Sequence, residues 1–207
     1  MTGPVLCYII HIMRPKSTVL GITGPIGSGK DETCRILKKL GFYIIDADRI
    51  GHEVLRENTL KNKLISVFGR EVLGPGGAIS RKKLGGLVFS GRKRLSFLNS
   101  LTHPVIRKKI EVLVNRSRSS KVAINAAVLK EIGLSKYCDQ IWLVGSSRPN
   151  RIKRLLRKGL NRKETLKRIK SQRSIESYKK ESDIIIDNNG SKKDLAIKVK
   201  ILISGYL

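Results

Sequence analysis

The sequence predicts an α/β protein built on a parallel sheet. Five short apolar runs are continuous rather than alternating with polar residues, the pattern of strands buried on both faces. Stretches of helical periodicity separate the runs, as crossovers between parallel strands require. A glycine-rich loop joins the first run directly to the first helical stretch. With 207 residues, 40% of them hydrophobic, the chain is long enough for one packed core and too short for several domains.

Residues 1–17 read as an N-terminal extension. Its apolar stretch from Val5 to Met13 is interrupted by His11, has no basic region before it and is followed at once by Arg14, Pro15 and Lys16. That is well short of the about 20 apolar residues that cross a bilayer, and it makes a poor signal peptide. Met13 offers an alternative start, which would leave residues 1–12 as a translated upstream stretch or a frayed arm. A single domain then spans 18–207. Thr18 to Thr23 (TVLGIT) is the first strand, Gly24 to Lys30 the loop, and Asp31 to Leu40 a helix whose apolar face is Cys34, Ile36, Leu37 and Leu40. Phe42 to Ile45 is the second strand, closed by Asp46, Ala47 and Asp48. The stretch after it is too long for a simple crossover. Helical in period but broken by Gly69 and by Gly74, Pro75, Gly76 and Gly77, it reads as an inserted helical subdomain. Asn115 to Lys121 (NRSRSSK) reads as an exposed basic loop, Val122 to Ile124 as the third strand and Ile141 to Val144 as the fourth. A second insertion between Ser146 and Ser182 is dense in Arg and Lys and nearly free of aromatic residues. Ile184 to Ile186 is the fifth strand, ending in Asp187, Asn188, Asn189 and Gly190.

Lys and Arg number 43 against 16 Asp and Glu, a net charge of +27. Such an excess favours polyanionic partners: nucleic acid, anionic headgroups or phosphorylated metabolites. Cys7, Cys34 and Cys138 are far apart, odd in number and not at metal-ligand spacing, so a reduced, cytoplasmic setting is expected.

Gly24, Pro25, Ile26, Gly27, Ser28, Gly29 and Lys30 match the core of a P-loop in the strand–loop–helix setting the motif requires. The glycines let consecutive backbone N–H groups converge on phosphate oxygens, the helix N-terminus adds its positive dipole end, and the lysine reaches the β and γ phosphates. A glycine-rich helix entry that binds nothing would have no need of these flanks. One residue departs from the pattern: Asp31 stands where a P-loop usually carries Ser or Thr to hold Mg²⁺. Thr33 is no substitute, because it lies roughly 200° around the helix from Asp31. A carboxylate can itself ligate Mg²⁺ and is tolerated at a helix N-terminus, yet it brings negative charge toward a triphosphate. Retained metal binding at Asp31 and a degenerate loop are both open, the first favoured. Asp46 and Asp48 reach the carboxyl edge of the sheet, where ligands of such folds sit. Transfer of a phosphoryl group to a hydroxyl needs a proton acceptor there. Asp48 is assigned as that base, and Asp46 as the cap of the next helix or a supporting residue.

With these residues in place, the chain resembles the dephospho-CoA kinases, P-loop kinases that phosphorylate the ribose 3′-hydroxyl of dephospho-CoA at the last step of coenzyme A synthesis. Gly21 to Lys30 (GITGPIGSGK) is similar to their phosphate loop, and Phe42 to Leu55 (FYIIDADRIGHEVL) to their second strand and aspartate segment. Leu98 to Pro104 (LNSLTHP) resembles a stretch of their acceptor-binding subdomain, and Ser182 to Gly190 (SDIIIDNNG) their last strand and turn. The resemblance covers about residues 18–205. It implies a five-stranded parallel sheet of the P-loop NTPase type flanked by helices, a helical acceptor-binding subdomain at about 46–115 and a small basic lid at about 146–182. It implies ATP as co-substrate, Mg²⁺ as cofactor and dephospho-CoA as acceptor. ATP phosphates would be held by Gly24, Gly27, Ser28, Gly29, Lys30 and Asp31, with Glu32 beside them. Asp31 would ligate the metal, Asp48 would be the catalytic base, Arg154 would be a lid arginine, and Asn188 and Gly190 would lie near adenine. A guanidinium suits phosphate oxygens, being permanently charged and forked. Most of the neighbouring arginines read as a solvated face. The third strand also departs from the family, running into Asn125, Ala126, Ala127, Val128 and Leu129 where an acidic residue, a proline and paired leucines are common. Glu131 falls on a common glutamate, and His103 before Pro104 reads as structural.

Two classes of function compete. A small-molecule kinase with two anionic substrates uses part of the charge. A basic nucleic-acid-binding protein on a P-loop scaffold weakened by Asp31 would use the remainder, but 5% aromatic residues leave few stacking platforms. A nucleoside or nucleotide kinase with another acceptor is the third reading. The dephospho-CoA kinase reading is preferred, with no membrane association expected and oligomeric state not legible.

Overall fold

Alternate residues of the central strand point into two different cores, which is why its sequence reads as one continuous apolar run. The computed structural model describes residues 18–88 and 91–205; the extension at 1–17, with Met13 and Cys7, lies outside them. Strands β1 (Thr18–Thr23), β2 (Tyr43–Asp46), β3 (Lys121–Asn125), β4 (Gln140–Gly145) and β5 (Ile184–Asp187) form one parallel sheet in the order β2-β3-β1-β4-β5. Leu20 pairs with Ala123 of β3, and Ile22 with Trp142 of β4. Leu20 and Ile22 face a layer made by α1 (Lys30–Lys39) and the C-terminal helix, with Leu37, Trp142, Ile186, Leu195 and Val199. Val19 faces the other way, onto Ile45, Ile50, Leu64, Ile110 and Leu134. Gly21 fits because a Cβ there would press on Cys138 and Leu129 at 2.9 Å. Burying a large apolar side chain contributes about 1.5–3 kcal/mol, against roughly 0–1 kcal/mol for an exposed ion pair. The sheet interior therefore anchors the loop that leaves β1.

The first insertion is helical, as its periodicity predicts: α2 (Ala47–Val54), α3 (Asn58–Phe68), α4 (Arg81–Val88) and α5 (Arg92–Arg116). Gly69, at φ 78°, ends α3, and the glycine cluster forms a tight turn closed by a bridge between Leu73 and Ile79. Helix α5 continues through Pro104, so the expected basic loop shrinks to residues 117–120. The second insertion folds as α6 (Arg148–Arg157), α7 (Arg162–Lys170) and the short α8 (Ile175–Lys179), capped by Ser147, Asn161 and Ser174. Helix α9 (Lys192–Ser204) opens with a capping box between Ser191 and Asp194.

Two boundaries correct the sequence reading. Strand β2 ends at Asp46, and α2 begins at Ala47. Asp48 therefore lies in the first turn of a helix rather than on a strand end. The cause is Asp46, whose carboxylate accepts the Arg49 N–H at 3.0 Å and so starts the helix early. Among the described residues no helix is long and apolar enough to cross a membrane.

Candidate active site

Gly24, Gly27 and Gly29 have φ values of 142°, 77° and 111°, backbone positions that side chains rarely adopt. A Cβ on Gly27 would come within 3.0 Å of the Arg151 carbonyl, and one on Gly29 would overlap the Asn188 amide. The close approach has a purpose. Arg151 Nε donates to Ile26 O at 2.8 Å, and Arg154 Nη1 to Gly27 O at 3.3 Å and Ser28 O at 3.0 Å. Asn188 Nδ2 donates to Ser28 O at 2.7 Å, and Arg154 Nη2 to Asn188 O at 2.8 Å. Three successive loop carbonyls are thus pinned from outside. In a trans peptide the following N–H points the opposite way, so this pinning turns loop amides inward. The amides of Gly27, Gly29, Lys30 and Asp31 donate to no protein group among the described residues. They form a cradle at the positive end of α1.

Lys30 is buried at the start of α1, and burial lowers its pKa while the carboxylates of Asp31 and Asp48 oppose that. Asp48 faces it from the first turn of α2. The residue is exposed as a whole, yet the protein around its carboxyl excludes enough water to raise its pKa; Lys30 opposes the rise and Asp46 adds to it. His52, one turn further along α2, is held below its ordinary value by burial and by Arg81. Asp31 receives Asn125 Nδ2 at 3.4 Å on one oxygen and Lys158 Nζ at 3.5 Å on the other. Glu32 turns aside to pair with Arg35. Thr33 is buried with its hydroxyl returned to Gly29 O at 3.3 Å, so it faces away from the cradle as its helical position predicts. Among the described residues no three His, Cys, Asp or Glu side chains converge as a metal cage. A divalent ion here would be held mainly by nucleotide phosphates and water plus Asp31, the habit of Mg²⁺. Burial pushes the Cys34 and Cys138 thiols up to about 12, so neither offers a thiolate.

The second insertion is locked onto the loop. Ile26 N–H donates to Gln172 Oε1 at 2.8 Å, and Arg151 Nη2 donates to the same oxygen at 3.0 Å. The backbone N–H and C=O of Ile26 are therefore both gripped by one ring of hydrogen bonds. Arg173 pairs with Glu131 at 3.3 Å and with Glu181 at 2.6 Å, and lies 4.0 Å over the Tyr178 ring. Glu131 thus ties the loop after β3 to this insertion. His103 has the structural role expected of it, its Nδ1 donating to Glu131 O at 3.0 Å. Arg154, expected at the phosphoryl group, is placed on the outer side of the loop. Gly190 abuts Asp194 in the turn before α9.

The sequence reading missed Arg151, Lys158, Gln172 and His52. Arg151, Arg154 and Lys158 follow i, i+3, i+7 spacing, one face of one helix, and His52 is four residues after Asp48. Those signals were present. Gln172 had none, because its contact with Ile26 joins residues 146 apart in the chain.

An amide cradle with a buried ammonium behind it and a carboxylate across from both is equipment for moving a phosphoryl group, and its place after the central parallel strand defines a P-loop kinase. Comparison with known proteins narrows the class. The sequence model of dephospho-CoA kinase matches residues 18–194. The dephospho-CoA kinase of Dehalococcoides mccartyi is 43% identical over 188 residues, covering 89% of this chain and 95% of the relative. A crystal structure from Thermus thermophilus superposes with a TM-score of 0.79 at 30% identity, covering 93% of this chain and all of the other. The dephospho-CoA kinase of Campylobacter jejuni gives 0.66 at 28% identity, covering 90% and 95%. The chain belongs to the dephospho-CoA kinase family.

Proposed function

We propose that this protein transfers the γ-phosphoryl group of ATP to the ribose 3′-hydroxyl of dephospho-CoA, giving coenzyme A. The observation that carries the reading is the inward-turned amide cradle with Lys30 and Asp48 on either side of the space ahead of it. The amides of Gly27, Gly29, Lys30 and Asp31 bind the phosphate chain, and Lys30 places its ammonium where charge develops on the transferring group. Asp48 accepts the proton of the attacking hydroxyl, for which a carboxyl held above the ordinary aspartate range is better matched than a normal one. Arg154 acts from behind the loop, keeping the Gly27 and Ser28 peptides oriented. The turn at Asn188 to Gly190 flanks the loop on the side assigned to adenine. Asp31 fits a divalent ion by its hard oxygens and its position beside Lys30. When bound with ATP, Mg²⁺ neutralises phosphate charge. Residues 46–115 form the acceptor side of the cleft and 146–182 its lid.

The test is product formation. Purified protein with ATP and Mg²⁺ should give, only when dephospho-CoA is added, a product heavier by one phosphoryl group in mass spectrometry. Turnover with free nucleosides or nucleotides but not with dephospho-CoA would reassign the acceptor, and no turnover by folded protein would overturn the kinase reading.

A further inference from the structure

The two positions at which this sequence leaves the common P-loop pattern touch each other in space. Asp31 stands where such loops place a Ser or Thr for the divalent cation. Asn125 closes β3, the neighbour of β1, and in P-loop NTPases an Asp outside the loop usually supplies the second, acidic contact to that ion. Here the hydroxyl has become a carboxylate and the strand end carries an amide, with Asn125 Nδ2 3.4 Å from Asp31 Oδ1.

Asn125 is only 5% exposed, and its Oδ1 has no hydrogen-bond partner. Turning the amide over would set that oxygen against the Asp31 carboxylate, so the NH₂ group must face Asp31 and the oxygen is left over. A buried amide oxygen without a partner is uncommon and calls for a ligand or a water to complete it. The other Asp31 oxygen meets Lys158, but the two side chains are 62% and 60% exposed. Water and salt screen such a pair, and it yields to a dipositive ion.

We propose that Asp31 and Asn125 are one metal-binding unit in which the ion-facing carboxylate has moved from the end of β3 to the start of α1. Asp31 takes the divalent cation of the nucleotide directly. Asn125 holds that carboxylate through its NH₂ group and presents its free oxygen to the water around the ion. The unit carries one negative charge, as a hydroxyl and a carboxylate would together, so the net charge around the ion is unchanged. The proposal rests on the nucleotide-binding reading of the loop and is independent of the acceptor.

The test uses Mn²⁺ as probe with the full-length protein and ADP, free Mn²⁺ being read by electron paramagnetic resonance. Asp31→Ser should weaken Mn²⁺ binding to the ADP complex by about tenfold, and Asp31→Ser combined with Asn125→Asp should return it to within about threefold of the native protein. Asp31→Asn, which keeps the side chain's shape, should lose as much as Asp31→Ser and serves where the serine variant unfolds. Undiminished Mn²⁺ affinity in Asp31→Ser or Asp31→Asn would overturn the proposal. So would additive effects of the Asp31→Ser and Asn125→Asp changes, with no recovery in the double variant. Because no acceptor is present, failure of the native protein to phosphorylate dephospho-CoA would count against the proposed reaction and leave this result standing.

Discussion

As the proposed base Asp48 acts only when ionised, and the protein around its carboxyl holds its pKa above the ordinary aspartate value of about 3.9. The acid limb of kcat/KM is therefore expected above that value, with activity rising as pH rises through it. Asp48→Asn should remove the limb and lower kcat by about 10²–10⁴-fold with the KM for ATP little changed. Comparable turnover in that variant would refute the base assignment. Stability gives a second readout with a worked sign. A carboxyl whose folded pKa is raised binds its proton more tightly in the native state, so its contribution to stability is present at low pH and is lost as pH rises through the folded value. Asp48→Asn should accordingly melt no lower, and preferably higher, than the native protein at pH 7; a clear drop in Tm would mean that the carboxylate is held by compensating contacts. Asp46, two residues away and of the same type, is used up as the cap of α2.

Helix α6 and the segment leading to α8 act on the phosphate loop through backbone atoms. Arg151 and Gln172 close a ring around the Ile26 peptide, and Arg154 with Asn188 holds the next two carbonyls. A part-buried hydrogen bond contributes about 0.5–1.5 kcal/mol net, and losing an acceptor shared by two donors costs more. Gln172→Ala should therefore raise the KM for ATP by about fivefold to tenfold and speed proteolysis between α7 and α8. Gln172→Glu keeps an acceptor for both donors and should restore most of the affinity. An alanine variant with native KM and native protease resistance would show that the ring contributes nothing to the loop.

A charge of +27 exceeds the needs of one active site, and the whole molecule shows where some of it goes. Arg151 and Arg173, read from sequence as members of a solvated face, are spent inside the fold on carbonyls and carboxylates, as is the lid arginine Arg154. Large aromatic side chains exposed among the described residues are Tyr43 and Phe97, and Phe97 packs edge-on against Phe68. Single-stranded DNA or RNA should therefore not bind measurably at about 0.15 M salt; tight binding with a steep salt dependence would restore the nucleic-acid reading. The class of fold, the phosphate loop with its lysine and the five strands were legible in order along the chain, because apolar runs, glycines and a helix start are local signals; Asp48 was legible as a candidate but not as a residue of a helix. The second insertion's grip on Ile26, the contact of Asp31 with Asn125 and the hydrogen bonds of Arg154 to the loop carbonyls were not legible. Each joins residues separated by about a hundred positions, and which side chains meet across that span is settled only when the parallel sheet brings the ends of its strands together.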